Sequence, residues 1–482
     1  MRPSGVVPRS LSPGEGPRSL DPETCPPPSS GAGCHGGKRM EIKAPLNLPE
    51  AWLARRSFSA FSASAFSASA LSASVTILAI TLSVLSVLSV LSVLCLLIFL
   101  SPSPAAAVGN LHLGPLRILP SLSATEFYDD NIFLAPDHEK DDFVTVISPG
   151  LRLVLPIMAR HSFQVGYRAD LYAYSDYQDE NRQDQMADCL LHFDFPGGLE
   201  IKAGDKYTQA AEPRTHEYAG GKRFFVEDTA FGEVGYRFAD VWKVQFNYEY
   251  IYHRYEDAPW HYWSSYYNHA GSTTIYLRFL PKTSALAEFR LVDSTYPHVK
   301  YDLRDNKIYF LYGGLFWDPT AKLSGSLKGG YTWKKFEDHD VAKDYDADTW
   351  SVAADLLWRI TDYTQLRLTA ERLYQDYLME ANAYYRTTGG TLTLSQKILT
   401  KFTLTAKGYA TRMEFPFRAY NPDRDERMRR RDTLWGVGGG LLYQIQDWLS
   451  AEIEYAFRKR DSNFSYFDYD ENRLALRLNL AL

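Results

Sequence analysis

From Gly114 to Leu482 the chain alternates apolar and polar residues with a period of two. Between Trp242 and Tyr252, Trp242, Val244, Phe246, Tyr248, Tyr250 and Tyr252 share one face, and Lys243, Gln245, Asn247 and Glu249 share the other. Trp350–Ile360 repeats the pattern, with Trp350, Val352, Ala354, Leu356, Trp358 and Ile360 opposite Ser351, Ala353, Asp355 and Arg359. The last segment places Leu474, Leu476, Leu478, Leu480 and Leu482 opposite Arg473, Ala475, Arg477 and Asn479. A helix would scatter these apolar residues around its whole surface, whereas a strand collects them on one side.

The spacing of the breaks carries more information than any one strand. Tight turns are predicted near 156–161, 196–198, 239–241, 281–283, 318–320, 361–364, 399–401 and 446–448. Longer polar loops are predicted near 128–142, 176–183, 210–222, 256–267, 297–306, 336–347, 377–384, 416–430 and 462–471. Short and long connections alternate throughout. Eight of one kind and nine of the other imply 18 strands, with both ends of the strand region on the short-turn side. The predicted fold is all-β, a transmembrane antiparallel up-and-down barrel of about 18 strands. A soluble sandwich or propeller has no need of strict long–short alternation together with an export signal and a terminal strand.

Residues 1–56, rich in Pro, Gly and Ser, read as a disordered extension or an over-extended gene start. Arg55 and Arg56 then precede an apolar stretch, and Ala105-Ala106-Ala107 follows it. Positive charge, apolar core and small residues in that order predict a signal peptide over 57–107, with the barrel from 108 to 482. The apolar run is long enough that an uncleaved transmembrane anchor is the alternative.

Composition agrees with a barrel. Mean hydropathy is −0.30, too low for a helical membrane bundle. The 33 tyrosines suit rings at membrane–water interfaces. Of the four cysteines, Cys189 alone lies beyond the predicted signal, so the barrel is expected to hold no disulfide. Residues 1–107 carry 8 of the 52 basic and 5 of the 58 acidic side chains, which leaves the remainder at a net charge of −9. That balance argues against a nucleic-acid partner.

With the apolar register toward lipid, the other register lines a lumen. It carries Arg152, Arg168, Asp170, Lys202, Arg237, Lys243, Glu249, Arg278, Glu288, Arg290, Lys328, Asp355, Arg359, Arg367, Glu452, Glu454, Arg473 and Arg477, with Tyr172, Tyr174, Tyr276 and Tyr409 as inward rings. Arg237, Lys243, Arg278, Arg359 and Arg367 collect toward the short turns. Two readings stand there: a basic ring favouring an anionic solute, or charges that pair across strands. The predicted 416–430 loop holds or adjoins Arg418, Arg424, Arg427, Arg429, Arg430 and Arg431, candidates for contact with lipopolysaccharide phosphate or an acidic glycan. Acidic loop tips such as Asp129-Asp130 and Asp468–Glu471 read as solvated tips or as sites for divalent ions. No nucleophile elbow, zinc-protease motif, phosphate-binding loop or paired C-x-x-C occurs, and neither catalysis nor a cofactor is expected. His269 and Ser272 on one strand are the nearest approach to a hydrolase pair.

The run Thr125-Glu126-Phe127-Tyr128-Asp129-Asp130-Asn131-Ile132-Phe133, followed by Asp142-Phe143 and Ser148-Pro149-Gly150-Leu151, resembles the outer-membrane β-barrel porin family associated with exopolysaccharide operons. The resemblance implies a barrel in the bacterial outer membrane that exports an extracellular or capsular polysaccharide, in contact with lipid and lipopolysaccharide and served by a periplasmic export partner. A general diffusion porin and an adhesive or structural barrel acting through its loops remain as alternatives.

Overall fold

The computed structural model describes residues 111–212, 222–256, 264–297, 304–337, 345–377 and 382–481. The chain divides into two units, 1–102 and 103–482, and every described residue belongs to the second. The predicted extension and signal peptide lie outside the described residues.

Eighteen long strands follow a short one, β1 (Leu111–Leu113). They are β2 (Leu116–Asp129), β3 (Asp142–Ile157), β4 (His161–Tyr174), β5 (Arg182–Asp194), β6 (Leu199–Glu212), β7 (Arg223–Phe238), β8 (Trp242–Tyr255), β9 (Tyr266–Leu280) and β10 (Thr283–Thr295). The second half comprises β11 (Asn306–Trp317), β12 (Leu323–Phe336), β13 (Ala347–Arg359), β14 (Thr364–Asp376), β15 (Tyr384–Ile398), β16 (Phe402–Asn421), β17 (Glu426–Gln446), β18 (Leu449–Ser462) and β19 (Tyr469–Ala481). Each strand pairs antiparallel with its chain neighbours, and β19 returns to β2 with Arg473 opposite Asp129 and Ala481 opposite Ser121. The ring is therefore closed, and closure removes the free edge that an apolar environment does not tolerate.

One predicted loop is corrected. The 416–430 segment is mostly strand: β16 and β17 run to 20 and 21 residues and form a tall hairpin whose tip is 422–425. Its ladder shifts register between Glu414 and Arg418, a bulge that contains Pro416. Proline has no N–H to give a ladder, so a bulge is where a strand tolerates it. The charged residues had looked like loop because solvent-exposed strand above a membrane has no apolar face to reveal it.

The burial pattern is inverted relative to a soluble protein. Large apolar side chains on the outward register are open, among them Phe246 (54%), Trp350 (55%), Val437 (52%) and Leu476 (56%). The largest fully buried side chains are Arg430 and Lys334, with Asn131, Asn306 and Asn421 also closed off. An apolar belt of this extent is covered by lipid in a barrel of this kind. Among the described residues no helix is long and apolar enough to cross a membrane, and the strands make the crossing.

Candidate functional site: the lumenal wall

Partners in an antiparallel ladder share a face, so the lumenal register can be followed around the ring from the closing seam. Arg473, Arg477, Asp129, Arg168, Asp170, Tyr172, Tyr174 and Glu454 all line one cavity of about 900 Å3 against β2–β4, β18 and β19. A smaller hollow of about 260 Å3 beside it is lined by Lys407, Tyr409, Glu452 and Glu454. By register the same face carries Arg237, Lys243 and Glu249, then Tyr276, Arg278 and Arg290, then Lys328, Asp355, Arg359 and Arg367.

Most of these charges are compensated by a neighbour. Arg473 reaches Asp129 at 2.7 Å and Glu471 at 3.1 Å. Arg477 meets Glu452 at 3.2 Å, Arg152 meets Asp188 at 3.0 Å, Arg168 meets Asp170 at 3.1 Å and Lys328 meets Glu288 at 2.9 Å. Lys202 lies between Glu200 and Glu233, and Arg367 pairs with Asp355. The open cross-strand pairs among them, Arg152–Asp188 and Arg367–Asp355, contribute about 0–1 kcal/mol each, whereas the carboxylates of Asp129, Asp170 and Glu471 are nearly closed to solvent. The pairs leave a wall that is polar and dipolar, with little net field at any one pair.

The group expected as a basic ring is divided in its tasks. Arg278 donates to the Asp240 carbonyl, and Arg359 Nη1 donates to the carbonyls of Pro319 (3.0 Å) and Ala321 (3.2 Å). Lys282 and Lys401 do the same for Thr320 and Ile445 at 3.0 Å each. A tight turn leaves carbonyls without ladder partners, and a cation on the next hairpin satisfies them. These side chains brace the short-turn rim. Lys243 stands 3.9 Å from Glu200, with its ammonium 5.8 Å from the centre of the Tyr276 ring. Arg290 lies 5.9 Å from the centre of the Phe310 ring.

The loop arginines also separate. Arg424 is at the hairpin tip, and Arg427, Arg429 and Arg431 are exposed on β17. Arg430 is corrected: its side chain is 0% exposed and turned to the lumenal side, where it forks onto Asp432 at 2.7–3.1 Å. Asp432 further accepts from Arg460 at 2.6 Å and Ser462 at 2.6 Å. The Arg430 guanidinium stacks 3.2 Å from the Phe467 ring centre and 4.5 Å from that of Phe415. Alternation explains the split, because consecutive strand residues point to opposite faces. A second buried group joins Lys334 to Asp376 and Asn306 at 2.5 Å each, with Tyr296 donating to Asp376 at 2.9 Å. Neither group was anticipated. Lys334 and Arg460 were reachable by counting in twos from Lys328 and Glu454, but Asp376 closes β14 at the long-loop rim and its partners come from distant strands.

The acidic loop residues largely work inside the fold. Asp130 accepts from Asn472, and Asp468 from the Ser462 N–H at 2.5 Å. Among the described residues no His, Cys, Asp and Glu group is arranged to hold a metal ion. His269 and Ser272 face opposite sides of β9: His269 meets Tyr248 on the outward face, and Ser272 accepts from Asn247 on the lumenal face.

The fold is similar to that of crystallised outer-membrane proteins of Pseudomonas aeruginosa. OpdK with vanillate aligns with a TM-score of 0.42 at 10% identity, covering 76% of this chain and 99% of that one. OccK2 (OpdF) aligns with a TM-score of 0.44 at 12% identity, covering 76% and 98%. A search of curated proteins finds no match to the sequence. A family model described as Putative beta-barrel porin 2 matches residues 103–482.

Proposed function

The chain belongs to the Putative beta-barrel porin 2 family, and from that premise we propose that its lumen passes polar solute across the bacterial outer membrane, with an extracellular or capsular polysaccharide as the cargo. The observation that carries passage is the lumenal cavity of about 900 Å3, whose wall sets Arg168, Asp170, Glu454, Arg473 and Arg477 beside Tyr172, Tyr174 and apolar side chains such as Phe127 and Val146. A wall of paired donors and acceptors exchanges hydrogen bonds with a hydroxyl-rich solute at little desolvation cost. What supports a glycan is the resemblance in the first hairpin, together with Tyr172 and Tyr174 on the cavity wall. Aromatic faces there offer apolar contact to sugar rings while Arg168 and Glu454 offer polar contact.

A general diffusion porin is the second reading. The pairing of Arg152, Arg168, Arg367, Arg473 and Arg477 with carboxylates favours it, because compensated charges discriminate weakly between solutes. Two measurements separate the possibilities. In planar bilayers the purified barrel is expected to conduct, and Arg473→Glu with Arg477→Glu is expected to move selectivity toward cations. Absence of conductance, even after loop deletion, would end both passage readings. A deletion strain is expected to retain polysaccharide that the parent secretes; unchanged secretion with intact conductance would leave general diffusion.

A further inference from the structure

The hairpin β16–β17 carries an outward array of arginines that the lumen does not use. On its lipid-facing register, Trp435 stands opposite Ala410, Thr433 opposite Arg412, Arg431 opposite Glu414, Arg429 opposite Arg418, and Arg427 opposite Tyr420. The series therefore climbs from an interfacial tryptophan into successive rows of cations. Trp435 donates its indole N–H to Asp461 at 3.1 Å, the behaviour of a ring whose polar edge is at the membrane surface. Outward positions on a strand are about 7 Å apart, so the first arginine rows stand within roughly 15 Å of that ring along the strand. That height is where the head groups of the outer leaflet lie when long loops face outward.

The array has little internal compensation. Glu414 takes Arg386 and Arg412. Among the described residues no carboxylate lies within salt-bridge distance of Arg418, Arg427, Arg429 or Arg431. Two hollows meet on this face. One of about 230 Å3 is lined by Tyr384, Arg386, Phe415, Arg429 and Arg431 with Glu414, and one of about 510 Å3 by Arg418, Arg427, Arg429 and Arg431 with Glu426, so arginines outnumber carboxylates in both. Repulsion among exposed guanidinium groups is unfavourable unless an anion sits among them.

We propose that Arg418, Arg429 and Arg431, flanked by Arg386 and Arg427, bind the phosphate groups of the phosphorylated glycolipid of the outer leaflet. The planar guanidinium fork matches phosphate bidentately, which a lysine point charge does not. The acyl chains of the same molecule would lie against the apolar register below, on Val437 and Leu441, which are 52% and 38% exposed. The inference concerns the outer surface and is independent of what the lumen passes.

The test uses the folded full-length barrel in detergent, with diphosphoryl lipid A, its dephosphorylated counterpart and inorganic phosphate as probes. Wild type is expected to bind the diphosphoryl form about tenfold more tightly than the dephosphorylated one. The triple variant Arg418→Gln/Arg429→Gln/Arg431→Gln is expected to lose that preference, and the corresponding Lys triple to keep part of it. Folding of each variant is read from the heat-dependent shift of the barrel on gels. Arg160→Gln, on the short-turn rim, is the control and is expected to bind as wild type. Equal binding of the two lipids, or a fully folded Gln triple with wild-type preference, would overturn the proposal. So would inorganic phosphate that competes at concentrations similar to the lipid, because the site would then be one for free anion.

Discussion

At the scale of single residues, the lumenal charges fall into two energetic classes. Asp432 sits among Arg430, Arg460 and Ser462 and is 1% exposed. Asp355 and Arg367 pair with more than half of each side chain open. Removing one partner of a closed pair strands the other without water, which costs about 3–5 kcal/mol, against about 0–1 kcal/mol for an open pair. Asp432→Ala is therefore expected to lower unfolding stability several-fold more than Asp355→Ala, as urea titrations of the folded barrel would measure. A turn residue offers a pH counterpart. Asp318 accepts from the Thr320 N–H at 2.8 Å and hydroxyl at 2.7 Å, and these bonds hold its carboxyl below the usual range. Because the folded value is depressed, the turn's stabilisation is present above the unfolded value of about 3.9 and is lost as pH falls through the folded one. A carboxyl titration is expected to place Asp318 below an ordinary Asp in wild type and higher, though still below it, in Thr320→Val, where the backbone donor remains. An unchanged midpoint would remove the hydroxyl from the account.

At the scale of the strand, alternation makes adjacent positions behave oppositely. In β19, Leu476 is 56% exposed to the lipid side and Ala475 lines the lumenal cavity. Leu476→Arg places a charge against hydrocarbon and is expected to cost about 2–4 kcal/mol, falling toward the rims. Ala475→Arg is expected to leave folding nearly intact and to shift conductance toward anions. Equal destabilisation by the two would mean that the register is wrong by one, which reverses every side chain. This register was readable wherever leucine, tyrosine and tryptophan recur at every second residue, as in β8, β13 and β19. It was not readable in the upper part of β16–β17. There both faces are polar, so Arg427, Arg429 and Arg431 could not be told from Arg430 until strand geometry assigned them.

At the scale of the whole molecule, function rests on closure. β19 hydrogen-bonds β2 across more than 340 residues of chain, for example Arg473 to Asp129 and Asn472 to Asp130. Deleting 469–481 would expose the ladders of β2 and β18 together. Such a chain is expected to give no heat-resistant compact band and no conductance, whereas deletion of β1 alone, which pairs only with β2 over three residues, is expected to give both. A conducting chain without β19 would require a different closing pair.

The sequence by itself determined the strand number, the alternation of short and long connections outside the β16–β17 hairpin, and which register meets lipid. Each of these follows from local periodicity and turn chemistry, and the apolar belt repeats them strand after strand. Tertiary structure alone decided how the lumenal charges are spent. Arg473 finds Asp129 only because closure joins β19 to β2, and Lys334 finds Asp376 and Arg278 the Asp240 carbonyl only because the stagger of neighbouring hairpins brings them level. A linear reading counts charges on a face, and the barrel determines which of them remain for a solute.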